Sequence, residues 1–325
     1  MKRWSSSGPI DFVLLWVDGQ DEAWLKQKNK YVSDNSLNGV ERYRDYGLLR
    51  CWFRMAEENA PWVNHIFLVT ENKIPTWLNI NNPKLTIVRH EEFMPLNTLP
   101  TFNSNAIQMY IHNINGLSEK FVLFDDDMFI NKHISPNIFF SRKGSPRDTL
   151  ALNIINPVDE FAHLFINNLV LINSNYKKNI FLKRNLFKLF NWRYGILNFL
   201  SLYLLIWPTF TRFYDPHLPY AYLKSQYKKV MEKYTEQQNE TGHHKFREIT
   251  DISHWVVRYE RLVNGQFAPI SYRVGKLLYL GDKIPKNKQL ITIGDREMPE
   301  SNFDSSIAFL HSYFDNKYEK SSFEI

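Results

Sequence analysis

Residues 120 to 134 read KFVLFDDDMFINKHI, and this stretch constrains the fold more than any other. Phe121, Val122, Leu123 and Phe124 form an apolar run with the length of a buried strand. Asp125, Asp126 and Asp127 follow at once. Three adjacent carboxylates repel one another and cost free energy unless water, hydrogen bonds or a cation compensates. The stretch alone leaves two readings open. One is a solvated turn after a strand. The other is a divalent-cation site at the carboxyl end of a sheet, where open α/β folds keep their ligands.

The neighbouring segments supply the context. IDFVLLWVDG reads as a buried strand that ends in a turn at Asp18-Gly19. ERYRDYGLLRCWFRMAEENAPWV reads as a helix stopped by Pro61, and HIFLVT and KLTIVRH as two further strands. PTFNSNAIQMYIHNI offers Asn103 and Ser104 as helix caps. Strands alternating with helices predict an α/β fold with a mostly parallel sheet and flanking helices over residues 10 to 135. Further on, GHHKFREITDISHWVVRYERL reads as helical from about Asp251, QLITIGD as a strand and SSIAFLHSYFDNKY as a last helix. SRKGSPRD, residues 141 to 148, marks a boundary between the sheet and the middle of the chain. Residues 1–145 form an N-terminal α/β half, and residues 146–325 a largely helical insertion with C-terminal segments completing the same domain.

The net charge of +6 suits polyanionic partners such as nucleotide phosphates or an anionic membrane surface. No zinc-finger spacing or RNA-binding signature accompanies it, so nucleic acid is not expected. His243, His244 and His254 fit no standard zinc spacing. The single cysteine, Cys51, excludes an intrachain disulfide and points to a reducing, cytoplasmic compartment. Its apolar helical surroundings make it a core residue rather than a nucleophile. The opening MKRWSSSGPI lacks the apolar core and cleavage site of a signal peptide. Residues 176 to 214 are basic and apolar, but the longest nearly continuous apolar piece, Ile196 to Trp207, falls short of the about 20 residues of a bilayer span. Two readings stand: helices packed on the core, or a peripheral membrane contact through residues 177–207.

Taken in order, these segments resemble the Stealth family of sugar-phosphate transferases. That family includes bacterial capsular and receptor polysaccharide phosphotransferases and the animal lysosomal-enzyme GlcNAc-1-phosphotransferase. IDFVLLWVDGQD resembles its first block. The second block is matched from RYRDYGLLRCWFRMAEENAPWVNHIFLVTENKIPTWLN through LPTFNSNAIQMYIHNINGLSEKFVLFDDDMFI. DPHLP with HHKFREITD resembles the third, and ITIGDREM with SSFE the fourth. The resemblance implies a Rossmann core like that of nucleotide-diphosphosugar transferases. It also implies transfer of a sugar-1-phosphate from a UDP-sugar such as UDP-GlcNAc to a glycan or lipid-linked oligosaccharide acceptor, with release of UMP.

The same resemblance assigns roles. Asp126 and Asp127 become ligands of Mg²⁺ or Mn²⁺, with Asp295 completing the metal or donor site. Asp125 stands where many members carry Asn and takes a supporting place, and Gly294 replaces an Asn often found in the fourth block. Arg247 matches the third block's arginine and suits a phosphate oxygen. His217, between Pro216 and Leu218-Pro219, serves as general base or as hydrogen-bond donor to the diphosphate. Asp18, Gly19, Arg50, Asn103 and Ser104 are expected on the donor side. Arg54 shares a helix face with Arg50 and reads equally as an ion-pair residue. Trp16 and His112 read as packing residues. Two rivals remain: a metal-dependent glycosyltransferase releasing UDP, and a non-catalytic module binding membranes or polysaccharide.

Overall fold

A computed structural model of the chain describes residues 8–31, 39, 43–296 and 298–325. The opening segment through Ser7 and the first two residues of the expected second helix, Glu41 and Arg42, lie outside the described residues.

The first half runs β1 (Ile10–Leu15), α1 (Glu22–Lys28), α2 (Leu49–Asn59), β2 (Ile66–Val69), β3 (Leu85–Val88), α3 (Ser104–Tyr110), β4 (Lys120–Phe124), β5 (Met128–Ile130) and β6 (Arg147–Asp148). Three helices follow: α4 (Ala162–Asn175), α5 (Lys178–Leu189) and α6 (Leu197–Tyr203). The chain then returns as β7 (Tyr220–Leu223), α7 (Lys224–Lys233), α8 (Thr235–His243), α9 (Trp255–Val263), β8 (Ala268–Pro269), β9 (Gly275–Tyr279), β10 (Leu290–Gly294) and α10 (Glu300–Asp315).

The main sheet has the order β3-β2-β1-β4-β7. Its first four strands are parallel, and β7 pairs antiparallel with β4 at the edge. β1, β2 and β4 are buried at every position, which is why they read as nearly continuous apolar runs. The one charge inside β1 is satisfied. Asp11, fully buried, accepts from Asn64 Nδ2 and the Ser118 amide, each at 2.7 Å. The strand order reverses direction between β1 and β4, so a crevice opens at their carboxyl ends. Asp125, Asp126 and Asp127 stand in that crevice as the turn from β4 into β5, where the chain leaves the main sheet. β5 pairs antiparallel with β10, which pairs parallel with β9.

α2 is shorter than the expected helix and starts at Leu49. Gly47 breaks the run with a φ of +67°, in the left-handed region that favours glycine. The freed residues Arg44, Asp45 and Tyr46 turn toward the crevice. The helix expected from Asp251 starts instead at Trp255. Asp251, fully buried, is occupied by Asn103 Nδ2 at 2.8 Å and His244 Nδ1 at 2.7 Å, and so holds its stretch out of the helix.

A buried charge cluster joins β6 to α9. Arg258 on α9 grips Asp148 through Nε at 3.0 Å and Nη2 at 2.8 Å, and Arg261 reaches the same carboxylate. Burial alone would push the Asp148 carboxyl up, but the two guanidiniums hold it below the usual carboxylate range. Replacing Asp148 with Asn strands two buried cations and should cost about 3–5 kcal/mol in urea denaturation. Glu232→Gln, which breaks the exposed 3.9 Å pair with Lys228, should stay within about 0.5 kcal/mol.

Candidate active site

The crevice is a cavity of about 960 Å³. Its lining brings together Asp125, Asp126, Asp127, His217, Arg247 and Asp295, with Ser104 beside Arg247. These residues come from three separated parts of the chain.

Asp126 faces the end of β1, where its Oδ2 lies 3.4 Å from the Val17 amide. Asp125 accepts a hydrogen bond from Gln108 Nε2 on α3 at 3.0 Å. Burial raises the Asp125 carboxyl above its ordinary value, and the charge of Asp127 adds to the rise. Asp126 is raised well above the usual range by burial, then by Asp127, Asp45 and Asp125. Burial also lifts Asp45 to about 6. Desolvation and mutual repulsion therefore act together on a cluster that a cation would relieve.

His217 sits opposite, with Nε2 3.6 Å from Asp127 Oδ2, an ion-pair distance longer than a hydrogen bond. Burial would lower the imidazole pKa, but Asp127, and then Asp215 and Asp125, raise it to about 9. The backbone of His217 has φ +46°, in the left-handed region. That conformation is held from both sides. The His217 amide donates to Asp215 Oδ1 at 2.9 Å, and the Thr292 hydroxyl of β10 donates to the His217 carbonyl. Strain of this kind persists where the surroundings over-determine it, commonly at functional sites.

Arg247 donates through Nη2 to the Ser104 hydroxyl at 2.9 Å, which aims the guanidinium beside the start of α3. Arg44 binds Asp295 at 3.1 Å, and Asp295 also accepts from the Arg296 amide at 2.7 Å.

The other expected donor residues lie off the cavity wall. Asp18 shapes its own loop: its carboxylate accepts from the Gln20 amide at 2.8 Å, and its backbone exchanges hydrogen bonds with Asn72. Gly19 is required by a close approach, since a Cβ there would fall 1.9 Å from the Tyr43 carbonyl oxygen. Asn103, fully buried, caps α3 through the Asn105 amide at 3.0 Å. Arg50 stacks on Trp77 and faces Glu324 at 3.7 Å. Arg54 holds the same carboxylate through two bonds of 2.7 and 2.8 Å.

Other expectations resolve locally. Cys51 is buried and its thiol is pushed up to about 12 by burial. His112 stacks on Tyr227, while His243, His244 and His254 bond to Asn97, Asp251 and Tyr222 respectively. Trp16 is buried at the cavity edge.

Lining residues that escaped the sequence reading include Arg44, Asp45, Tyr46, Gln108, Arg212 and Asp215. Asp215 carried a signal, because Asp two residues before an amide it can cap is an Asx turn. Arg212 lies 3.5 Å above the Phe165 ring, a contact no local pattern announces.

Among the described residues no group of three His, Cys, Asp or Glu side chains could hold a metal ion alone. Mg²⁺ commonly takes only one or two carboxylates and completes its shell with water and phosphate oxygens. Asp126 and Asp127 fit that demand: hard oxygen donors, with Asp127 Oδ1 buried and lacking a hydrogen-bond partner.

Comparison with known proteins agrees with the first two of the four sequence blocks. The family models "Stealth protein CR1, conserved region 1" and "Stealth protein CR2, conserved region 2" match residues 8–36 and 42–148. The chain is 46% identical to the exopolysaccharide phosphotransferase cps2G of Lactiplantibacillus plantarum, over 98% of each chain. It is 38% identical to a capsular polysaccharide phosphotransferase WcwK of Streptococcus pneumoniae, over 97% of this chain and 98% of that one. It is 36% identical to the receptor polysaccharide phosphotransferase WefC of Streptococcus oralis, over 88% and 87%.

The His217–Asp127 contact has a measurable signature. A raised folded-state pKa means the contact stabilises the fold fully below the ordinary 6.5 and loses that contribution as pH climbs through about 9. In the metal-free protein, NMR titration should find His217 near 9. Asp127→Asn should lower it, because burial then acts with one carboxylate fewer to oppose it.

Proposed function

The chain belongs to the Stealth family, and from that premise we propose that it is a polysaccharide phosphotransferase that moves a sugar-1-phosphate from a UDP-sugar such as UDP-GlcNAc to a glycan hydroxyl, releasing UMP. It is a transferase of phosphorus-containing groups. The observation that carries the finer reading is the 3.6 Å contact of His217 with Asp127, in a cavity that Arg247 and Ser104 also line.

The donor diphosphate lies between the aspartates and the arginines. Arg247, fixed by Ser104, meets non-bridging oxygens of the transferred phosphoryl group, where charge must be balanced in the transition state. Asp126 and Asp127 would hold a divalent cation, Mg²⁺ or Mn²⁺, which would supply charge neutralisation at the diphosphate; with the Asp127 carboxylate engaged in this way, the His217 imidazole would take the neutral form that burial favours. The acceptor oxygen bonds to the sugar-side phosphorus while the bond from that phosphorus to the bridging oxygen breaks. The bridging oxygen leaves with UMP, and the hydroxyl proton passes to His217. Asp295 stands at the rim, where Arg44 holds it toward the donor. A lipid-linked oligosaccharide would serve as acceptor.

Among the described residues no helix is long and apolar enough to cross a membrane. The buried, unreactive Cys51 suits the cytoplasm, where nucleotide sugars would be drawn.

The test is nucleotide release. Purified protein given UDP-sugars, Mg²⁺ or Mn²⁺ and a lipid-linked acceptor extract should yield UMP. Release should stop with EDTA and with Asp127→Ala. His217→Ala should lower kcat by about 10²–10⁴-fold, and Arg247→Ala by about 10²–10³-fold. UDP in place of UMP would mean glycosyl transfer and overturn the reading.

A further inference from the structure

α6 carries its apolar stripe on the wrong side for a helix in water. Phe199, Leu202, Tyr203 and Ile206 follow the i, i+3, i+4, i+7 spacing that normally faces a core. All four are exposed, Phe199 at 75% and Ile206 at 74%. The opposite face is the one that docks. Ser201 is fully buried and its hydroxyl accepts from the Leu152 amide at 3.0 Å, and Leu204 is buried beside it. Phe187 of α5, at 90%, and Trp192 in the turn between the two helices, at 80%, add to the exposed apolar surface.

This hairpin is held firmly, so its exposure is not a loosely packed end. The Lys178 ammonium is buried and donates to the Leu204 and Trp207 carbonyls, which ties α5 to the end of α6. Asn185 donates to the Val263 carbonyl and fastens α5 to α9. The inner face is spent on the protein, while the outer one is left open to solvent among the described residues.

Charge identifies what covers it. From Phe161 to Tyr214 the chain has seven lysines and arginines and no aspartate or glutamate. Lys177, Lys183 and Arg184 are exposed beside the apolar stripe. A second copy docking through the same face would set positive charge against positive charge. An anionic bilayer offers what the surface asks for: negative headgroups for the cations and an acyl boundary for the aromatic and aliphatic tips. Trp192, Tyr203 and Trp207 are the amphipathic rings that settle at such a boundary.

We propose that the α5–α6 hairpin is a membrane-docking surface that seats the enzyme on an anionic lipid bilayer, through Phe187, Trp192, Phe199 and Ile206 with Lys183 and Arg184 at the headgroups. This goes beyond the reaction and does not depend on it. The full chain should co-sediment with phosphatidylcholine vesicles containing phosphatidylglycerol, at least about tenfold more tightly than with phosphatidylcholine alone, and lose that preference in high salt. Lys183→Glu with Arg184→Glu should abolish the preference. Phe187→Ser, Phe199→Ser and Ile206→Ser together should remove binding while circular dichroism and melting stay unchanged; every one of these side chains is exposed. Failure of the wild type to bind either vesicle, or binding that survives both sets of substitutions, overturns the proposal. So does a dimer in sedimentation velocity that the apolar substitutions dissociate, since a second copy would then be the occupant.

Discussion

The buried cluster of Asp148, Arg258 and Arg261 is the interaction on which the site's geometry rests. Two cations and one anion out of water are costly unless their polar atoms are met, and most of them are, Arg258 Nη1 and Arg261 Nε excepted. Here Arg258 Nη2 also donates to the Tyr214 carbonyl at 2.7 Å, and Arg261 donates to the Ala221 carbonyl of β7. Those carbonyls flank the Asp215-Pro216-His217 turn. The cluster thus pins the entrance and the exit of the loop that carries the histidine. Asp148 is also the last residue matched by the second family model.

The parts of the fold that were legible share one physical cause. Strands buried on both faces of a parallel sheet are largely apolar, so β1, β2 and β4 appear as runs in the sequence. The aspartates after β4 stand out because nothing apolar would tolerate them uncompensated. β7, YAYL, lies at the sheet edge against β4, and its short run passes directly into α7. Its placement is decided by Arg261 and the β4 backbone, partners far away in sequence, so local pattern says nothing of it.

Arg50 shows the same limit at the level of one side chain. Spacing correctly puts Arg50 and Arg54 on a shared face of α2. Spacing does not say where that face looks. In the fold it meets Glu324, whose carboxyl burial would raise but Arg54 pulls down to about 2. Arg44, Asp45 and Tyr46 do reach the cavity from this region, released from the helix by the backbone of Gly47. A glycine inside an apparently helical pattern was the available clue.

β10 explains how His217 and Asp127, far apart in the chain, keep their separation. Thr292 donates to the His217 carbonyl, and the next residue, Ile293, donates its amide to the Asp127 carbonyl at 2.9 Å. Consecutive residues of one strand thus hold the backbones of both partners. Neither partner can drift without breaking a bond to a strand that is itself paired on both sides. The fourth sequence block therefore contributes more than Asp295 at its end. Its strand is the gauge that sets the 3.6 Å contact, and through it the charge state of the histidine.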